Sequence, residues 1–468
     1  MASWAVIDRR GLSVAIVVAW AVGCGDDGTS SLAVDTEAVS TGSDGGGATT
    51  DATATEDAGS TGAPPEVTYH GQVRAMLELH CVSCHTAGNI APFPLTTYDE
   101  VMPLRETILA AVDAGTMPPW MPEAGCRDYV GDLTMTAEDI ATLHEWVESG
   151  AAEGAPDAYV APELPPNVSL SRVDVSLSSP EPYTPTASPD DYRCFLLDWP
   201  HEEVTYVTGF QTVPDDLTMV HHVIAFGVGP DKVAEYEALD AAEPGAGYTC
   251  FGGPGGEITD VDSAGLWLGA WAPGSIAGDF PEGTGIRMEP GAKVVLQIHY
   301  NTLVAEPRPD QTAVEFRVDD QVEKPAHMML WANPSWLQGG MPIPAGQASV
   351  SHEFELDPTP YVNLFTDVVP VDEPFVIMAA THHMHTLGTR GRHSIVHADG
   401  SETCLLSLPR WDFNWQSQYR FAEPQRFNPG DKLRLECEWN NAAGDSDVNW
   451  GDGTRDEMCL GAFFITAP

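Results

Sequence analysis

Basic residues are scarce in this sequence, with 21 Lys and Arg against 69 Asp and Glu and a formal net charge of −48 at pH 7. A surface this acidic repels phosphate backbones, so nucleic acid is a poor partner for it. Net charge describes solubility and association and leaves the fold open. The chain has 468 residues and is 43% hydrophobic, which is enough for about three domains with buried cores.

The N-terminal apolar run is shorter than a membrane-spanning helix. It covers residues 12–22, whereas a span needs about 20 apolar residues. Arg9 and Arg10 precede it, and Cys24 follows small residues, which resembles a bacterial lipobox. We predict a lipoprotein signal over residues 1–24 and an exported protein, lipid-anchored to the periplasmic or cell-surface side of a bacterial membrane. An ordinary signal peptide with an incidental cysteine is the alternative.

Lysine and arginine are absent from residues 25–65, which consist mostly of Ser, Thr, Gly, Ala and Asp. Such a segment cannot bury enough apolar surface to offset its ordering entropy. We predict a disordered acidic linker over residues 25–66 that holds the folded part away from the membrane.

Nine cysteines are present, and their number is informative. Cys24 is assigned to the lipid anchor, and Cys81 and Cys84 belong to the C-x-x-C-H pattern described below. The other six are Cys126, Cys194, Cys250, Cys404, Cys437 and Cys459. An even remainder in an exported protein predicts disulfides, but six cysteines allow 15 pairings, so the residues alone leave the pairing open.

Residues 81–85 form the pattern C-x-x-C-H. Two thiols at this spacing can each bond to a haem vinyl group, and the adjacent histidine can then bind the iron. The pattern predicts covalently bound haem c, attached through Cys81 and Cys84 and ligated by His85. A disulfide or redox pair formed by the two cysteines is the alternative.

The surroundings of this pattern are helical. Residues 69–80 and 99–114 have helical spacing, and a third helix begins at Thr136 with a capping signal at Asp139. Three helices in this order and size resemble a small cytochrome c. We therefore predict an all-α cytochrome c-like domain over residues 67–152.

The loop before the third helix offers a second haem ligand. It contains Met117 and Met121 beside two prolines. A thioether ligand raises the haem potential relative to a second histidine. We favour Met117, with Met121 as the rival, and interpret His144 as a partly solvated side chain.

Beyond a Pro-rich linker over residues 153–190, the pattern changes to short strands separated by Gly, Pro and Asp turns. This pattern favours antiparallel β-sandwiches over a parallel α/β sheet. The clearest predicted strands cover residues 206–210, 220–227, 293–300 and 371–380.

Histidine clusters and one methionine stand out in this region. They are His221 with His222, His299, His383 with His385, and Met458. A lone buried histidine is usually structural, but several clusters at strand ends favour metal binding.

The spacing sorts these residues into two sites. His383 and His385 are two residues apart, so on a strand they point to one side, and an added methionine favours Cu(I). His221 and His222 are adjacent and would face opposite ways on a regular strand. They can share one ion only where the strand ends or bulges. With His299 they form a three-imidazole set that suits copper or zinc.

These blocks resemble the copper type II, ascorbate-dependent monooxygenases, the family of dopamine β-hydroxylase and the peptidylglycine hydroxylating enzyme. The order His-His, Gln-x-His-Tyr, His-x-His and Asp-Glu-Met-Cys is that of the family, and residues 268–274 also match in kind. The resemblance covers about residues 192–468. It implies two jelly-roll copper domains, over residues 191–322 and 323–468, and a mainly β fold preceded by the small helical domain.

Carried over residue by residue, the resemblance implies two coppers per chain that face each other across a cleft. His221, His222 and His299 would hold the electron-transfer copper, and His383, His385 and Met458 the catalytic copper that binds O2. The substrate would be a small organic molecule, with ascorbate or a redox protein as electron donor. The resemblance also implies a Cys437–Cys459 disulfide.

The chain departs from the peptide-amidating members of this family. Thr381 stands where they carry Arg, and Leu460 and Ala462 stand where they carry Asn and Tyr. A peptide carboxylate would lack its partners, which predicts that the protein is not peptide-amidating and has a more apolar pocket.

The resemblance and the C-x-x-C-H motif together predict a copper monooxygenase with a fused haem domain that can supply its electrons. The alternatives are a non-catalytic copper and haem electron-transfer lipoprotein, and a carbohydrate- or partner-binding sandwich. His382 is interpreted as a supporting residue, and His393 and His397 as residues of a surface strand.

Overall fold

A computed structural model of the chain describes residues 67–87, 91–164, 169–250, 253–255, 266–272, 275, 278–303, 305–364, 366–451 and 453–468, and the backbone of residues 6–7 and 13–14. Cys24 and the predicted linker over residues 25–66 lie outside them, as do Pro273 and Gly274.

The first folded part is a helical domain over residues 67–164. Thr136 caps the helix that follows it, through a reciprocal capping box with Asp139, as predicted. The predicted helix over residues 99–114 is divided by a 3-10 turn that contains Pro103, which lacks the N–H that a continuous helix needs.

The helices of the described chain are α1 Arg74–His80, α2 Tyr98–Val101, α3 Arg105–Asp113, α4 Ala137–Glu148 and, in the β region, α5 Val233–Ala242. A π-helical turn covers Tyr69–Val73, and 3-10 turns cover Met102–Leu104, Pro156–Ala158, Trp336–Gln338 and Thr359–Leu364.

The rest of the described chain is mainly β, as predicted. The strands are β1 Val6–Ile7, β2 Ser13–Val14, β3 Val175–Ser178, β4 Asp190–Asp198, β5 Thr205–Val213, β6 Val220–Val228, β7 Tyr248–Thr249, β8 Leu266–Trp271, β9 Gly278–Asp279, β10 Thr284–Met288, β11 Lys293–Asn301, β12 Ala313–Asp319, β13 Lys324–Trp331, β14 Val350–Leu356, β15 Phe375–His383, β16 Gly388–Val396, β17 Glu402–Leu408, β18 Gln418–Phe427, β19 Lys432–Trp439 and β20 Leu460–Thr466. None of the described helices has the length and apolar character needed to cross a membrane.

One sheet runs through two β modules. Its strand order is β18-β15-β20-β13-β10-β5-β12-β3, with β9 added at β5. Its ladders are antiparallel except between β10 and β13, where the first module (residues 169–322) meets the second module (residues 323–468). The two predicted sandwiches therefore share a layer.

A smaller sheet completes each module. The order β7-β4-β11-β6-β8 covers the first module, and β14-β19-β16-β17 covers the second. Phe195, Val294 and Phe316 lie in the core between the sheets of the first module. Trp439 and Phe463 lie in the corresponding core of the second. Burial of alternate residues on facing sheets is what holds such layers together.

The six predicted disulfide cysteines all pair. The bridges are Cys126–Cys404, Cys194–Cys250 and Cys437–Cys459, so the pairing that the resemblance implied is confirmed. Cys126–Cys404 joins the helical domain to the second module.

Two predictions were wrong in detail. β15 begins at Phe375 and not at residue 371, because residues 371–372 form a turn in which Asp372 has φ 59°. His393 is fully buried on β16 and does not lie on a surface strand.

Candidate metal centre

The first group of histidines, which we call the triple-histidine cluster, consists of His221, His222 and His299. His222 on β6 lies directly opposite His299 on β11, and the register then shifts so that Tyr300 pairs with Val220. The shift leaves His221 as the extra residue of a β-bulge. This is the irregularity that two adjacent histidines need in order to turn toward one point.

The Nδ1 atoms of this cluster converge. His222 Nδ1 lies 3.3 Å from His221 Nδ1 and 3.3 Å from His299 Nδ1. Two nitrogen ligands about 2.0–2.1 Å from one ion, at trigonal or tetrahedral angles, are about 3.3–3.6 Å apart. The three residues each offer a ligand atom within 4.8 Å of the others, so they could hold a metal ion.

The protonation of this cluster suits metal binding. Burial, together with the neighbouring histidines, lowers the pKa of His221 to about 3. Burial also lowers the pKa of His222 and His299. Neutral imidazoles carry a lone pair, and three of them around one point cannot all share a proton. A cation would satisfy all three nitrogens, so the donor set fits the copper or zinc that the sequence predicts.

Asp190, at the start of β4, orients His299. Its Oδ1 accepts a hydrogen bond of 2.9 Å from His299 Nε2, which leaves Nδ1 directed at the cluster. Burial pulls the pKa of Asp190 upward, but the bonds from His299 and Thr454 outweigh it and lower the pKa to about 2. The Tyr192 ring stacks on His299 at 4.0 Å. A carboxylate behind a ligating histidine is the usual device for fixing its tautomer.

The second group, which we call the His-His-Met cluster, consists of His383, His385 and Met458. β15 pairs with β20 so that His383 lies opposite Leu460. The rings of His383 and His385 lie with centroids 5.1 Å apart, and His385 bonds to Asp456 and Glu457, the two residues before Met458. The structure therefore brings His383 and His385 together beside the segment that carries Met458.

Hydrogen bonds leave one nitrogen of each of these histidines available. His383 Nδ1 donates to Gln416 Oε1 at 2.6 Å, and His385 Nδ1 donates to the Asp456 carbonyl at 3.0 Å. Burial lowers the pKa of both imidazoles, that of His385 to about 3. Both Nε2 atoms are then free of protons and can bind a metal. With the Met458 sulfur, the set fits Cu(I).

Glu457 fixes the turn that carries His385. The carboxylate is fully buried and accepts from His385 N at 2.9 Å, Leu387 N at 2.6 Å and Trp439 Nε1 at 2.8 Å. Burial raises the pKa of Glu457 to about 7, although these donors oppose the rise. The adjacent Met458 is thereby held beside His385.

His382 points the other way, into the core of the second module. Its Nδ1 lies 2.9 Å from His393 Nε2, and its Nε2 lies 3.5 Å from Cys437 Sγ. A Cβ at Gly391 would come within 2.0 Å of the His382 ring, so this pair is tightly enclosed. His382 is on the opposite face of the strand from His383, in line with a supporting role.

The two clusters lie next to each other across the contact between the modules. The Phe413 ring stacks on His221 at 4.4 Å and meets His385 edge-on at 6.1 Å. Asp190 Oδ1 also accepts from Thr454 Oγ1 at 2.6 Å, which ties the triple-histidine cluster to the segment before Met458.

The positions where the chain departs from the amidating pattern lie beside this contact. Thr381 pairs with Ala462 on the face of the sheet that carries His383. Ala462 is 5% exposed and belongs to the core cluster of the first module. Leu460, opposite His383, is only partly buried. Of the two substituted positions on β20, Leu460 is therefore the one available to a ligand.

Reasoning from sequence missed Asp190, Phe413, Gln416 and Glu457. Glu457 could have been inferred from its place beside Met458 in the Asp-Glu-Met-Cys block. The other three lie far along the chain from the side chains they contact, with separations of 109 residues for Asp190 and His299 and 33 for Gln416 and His383. No local pattern marks them.

Replacing Asp190 with asparagine should weaken the triple-histidine cluster. Asparagine can reverse its amide and present a donor to His299, so the tautomer is no longer fixed. We expect metal affinity at this cluster to fall about 10–100-fold. Competition with a copper chelator measures it. Asp198→Asn is the matched control, because Asp198 lies at the other end of β4 with its side chain 86% exposed. Equal affinities in the two variants would contradict the role of Asp190.

The C-x-x-C-H residues form a compact turn after α1. Cys84 N and His85 N both donate to the Cys81 carbonyl, at 3.1 and 2.9 Å. Cys81 and Cys84 form no disulfide in the described structure. His85 Nδ1 donates to the Phe93 carbonyl at 3.0 Å, which leaves Nε2 for a ligand. This arrangement fits a covalently attached haem.

The two methionines proposed as haem ligands have different surroundings. Met117 lies after α3 and is partly exposed. Met121 is 4% exposed and belongs to the core cluster of the second module. Since its side chain is committed to that core, Met117 is the better placed of the two.

Comparison with known proteins agrees with the resemblance over the second module. Residues 362–466 match the sequence profile of the copper type II ascorbate-dependent monooxygenase, C-terminal domain. DBH-like monooxygenase protein 2 of Mus musculus is 26% identical over 254 residues, which cover 53% of this chain and 38% of that protein. The match thus spans well under half the length of this relative.

Similarity to solved structures is weak. A structure of infectious bursal disease virus Gx strain has a TM-score of 0.16 and 9% identity, covering 63% of this chain and 73% of that chain. An oxalate decarboxylase of Bacillus subtilis has a TM-score of 0.11 and 8% identity, covering 61% and 82%. Scores this low carry no argument about the fold. The sequence matches, in contrast, show that residues 362–466 are similar to the C-terminal domain of the copper type II ascorbate-dependent monooxygenases.

Proposed function

We propose that this protein is a copper-dependent monooxygenase that hydroxylates a small organic substrate with O2. The observation that carries the proposal is the pairing of two unlike donor sets. Three Nδ1 atoms converge in the first module, and in the second module His383 and His385 lie together, each with Nε2 free for a metal, beside the segment of Met458. The two donor sets differ in chemistry and suit different tasks, electron transfer at the triple-histidine cluster and O2 binding at the His-His-Met cluster.

Copper, when bound, would supply one-electron redox chemistry and an open position for O2. The chain's own residues orient and shield it. Gln416 and Asp456 accept the Nδ1 protons of His383 and His385, so both imidazoles present Nε2. The Phe413 ring lies against His221 and His385 and presents an apolar surface at the contact between the clusters.

We further propose that the helical domain is a c-type haem domain that supplies electrons to the copper sites, in place of or together with ascorbate. Cys81, Cys84 and His85 would attach the haem. The free Nε2 of His85 and the committed position of Met121 support Met117 as the second ligand.

Exchange of Met117 for leucine should therefore change the haem spectrum and lower its reduction potential, because a thioether ligand raises that potential. Met121→Leu is the matched control and should leave both unchanged. Absorbance spectra and redox titration of the purified protein measure the difference. If Met121→Leu lost the methionine–iron signature and Met117→Leu kept it, the assignment would be reversed.

Export and a lipid anchor at Cys24 also belong to the proposal. The three disulfides support an oxidising compartment, where such bridges form and persist. A peptide carboxylate would find Thr381 and Leu460 where amidating enzymes offer charge and hydrogen bonds, so glycine-extended peptides should be poor substrates.

Metal analysis followed by O2 uptake tests the function. We expect two coppers and one covalent haem per chain, and O2 consumption that depends on an added organic substrate. Small apolar compounds should be compared with a glycine-extended peptide. Two coppers with no substrate-dependent uptake across the screen would favour the alternative, a non-catalytic copper and haem electron-transfer lipoprotein. One zinc per chain and no copper would exclude both.

A further inference from the structure

The connection between α3 and α4, residues 114–136, leaves the helical domain and enters the second module. Met121 and Tyr129 are 4% and 6% exposed, and both belong to the core cluster of the second module. Cys126 on this connection is bonded to Cys404 on β17. The segment that carries Met117 is therefore anchored in the second module by packing and by a covalent bond.

Backbone hydrogen bonds add to this anchoring. Tyr129 forms an antiparallel bridge with Phe421 on β18. Val130 N donates to the Arg420 carbonyl at 2.9 Å, and Ala422 N donates to the Asp128 carbonyl at 3.0 Å. The connection thus extends the nine-stranded sheet at its β18 edge.

The start of the connection is held as well. Arg410 Nη2 donates to the Gly115 carbonyl at 2.6 Å. Glu123 N donates to the Ser407 carbonyl at 2.8 Å, and Ser407 Oγ donates to Glu123 Oε2 at 2.6 Å. The contacts to the second module therefore begin just before Met117 and continue to Val130.

Aromatic rings lead from Met117 toward the metal centre. Trp120, three residues after Met117, meets Tyr419 edge-on with ring centroids 5.4 Å apart. Tyr419 is 3% exposed and lies on β18, three residues after Gln416. Gln416 in turn accepts the Nδ1 proton of His383. These contacts make a continuous path of packed and bonded groups.

We infer that the connection is a built-in electron donor contact, through which electrons pass from the helical domain into the second module by way of Trp120 and Tyr419. The inference rests on the proposed function, because it requires haem at Cys81 and Cys84 and copper at the clusters. The inference adds to that function a route for the electrons and a fixed position of the connection on the second module. The sequence predicts a Pro-rich linker after the haem domain, whereas the structure anchors the connection directly to the second module.

Each transfer moves one electron. With haem and copper bound, a transfer would oxidise the haem iron from Fe(II) to Fe(III) and reduce one copper ion from Cu(II) to Cu(I). Hydroxylation of a C–H bond by O2 takes up two electrons and two protons and gives an alcohol and water. A one-electron donor from outside, ascorbate or a redox protein, must therefore reduce the haem again between two transfers.

Stopped-flow absorbance of the haem tests the inference on the full chain without O2 or substrate. Protein with reduced haem and Cu(II) is compared with the same protein lacking copper. We expect haem oxidation that requires copper and has a rate independent of protein concentration. The rate should also be insensitive to salt, because the contact is already formed and needs no electrostatic steering.

Four variants define the route. Trp120→Leu should slow the copper-dependent phase several-fold, and Trp120→Phe should restore most of the rate because it keeps a ring against Tyr419. Phe421→Leu removes a ring from the same contact but away from Trp120, so it should keep the parent rate. Cys126→Ser combined with Cys404→Ser frees the connection and should give a slower, heterogeneous phase. Haem and copper contents of every variant must match the parent.

The outcomes separate the inference from the function. A copper-dependent phase in the parent that Trp120→Leu does not slow would overturn the route and leave the haem as donor. A parent with full copper and haem but no copper-dependent phase would overturn both the donor role and the route, while substrate-dependent O2 uptake with ascorbate would still support the monooxygenase.

Discussion

His383→Ala is expected to lose one of two coppers and all substrate-dependent O2 uptake. The change removes one of three donors from the His-His-Met cluster, and it leaves Gln416 without the proton it accepts. Loss of an outer partner of a ligand already costs about 10–100-fold in affinity, so loss of a ligand should cost more than about 100-fold. Copper per chain, measured after dialysis against a weak chelator, should fall from two to one.

A reciprocal variant and a control sharpen this test. His222→Ala should also leave one copper, but at the other cluster, so the copper(II) spectra of the two variants should differ. His352→Ala is the matched control, because His352 lies on β14 of the second module and hydrogen-bonds through Nε2 to the Pro342 carbonyl at 2.9 Å. Two coppers retained by His383→Ala would contradict the assignment of the second site.

Glu457→Ala is expected to destabilise the second module strongly. It leaves three buried donors without an acceptor, on His385, Leu387 and Trp439. Each unsatisfied buried group costs about 1–3 kcal/mol, or roughly 3–9 kcal/mol for the three. Since 1 kcal/mol shifts the Tm of a domain of this size by about 2–4 °C, the melting transition should fall by about 6 °C or more.

Calorimetry of the metal-free protein measures this shift without interference from copper. Glu457→Gln keeps the shape of the side chain but turns a donor toward the three N–H groups, so an intermediate loss is expected. Glu438→Ala is the control, because the Glu438 carboxylate lies on β19 in a partly exposed contact with Arg390 at 3.4 Å. Such pairs contribute about 0–1 kcal/mol. Equal Tm values for Glu457→Ala and Glu438→Ala would show that Glu457 does not hold this turn.

Local patterns were sufficient wherever the cause was local. The α4 helix begins after Thr136 because the side chains of Thr136 and Asp139 each accept from the other's backbone N–H group. This capping box spans four consecutive residues, so it can be recognised in the sequence. The bulge at His221 follows from two adjacent histidines that must reach one point. The Cys437–Cys459 bridge came from the family resemblance and not from spacing.

Local patterns failed where a distant partner changed the environment. His393 lies among Arg392 and Ser394 in the sequence, which suggests an exposed strand, yet its ring is buried against His382. Each imidazole supplies the hydrogen bond that the other would otherwise lack, and this makes burial of two polar groups tolerable. No residue within a few positions of His393 in the sequence indicates that His382 is its partner.

By itself, the sequence identified the side chains predicted to carry the chemistry: the C-x-x-C-H turn, the histidines and Met458, with the side each histidine takes on its strand. Only the tertiary structure decided that Asp190 supports His299, that Phe413 lies between the clusters, and that the Met117 segment is locked to the second module. The reason is physical. The direction of a side chain follows from a period of two along its own strand, whereas these contacts depend on sheet register and on a disulfide between residues 278 positions apart.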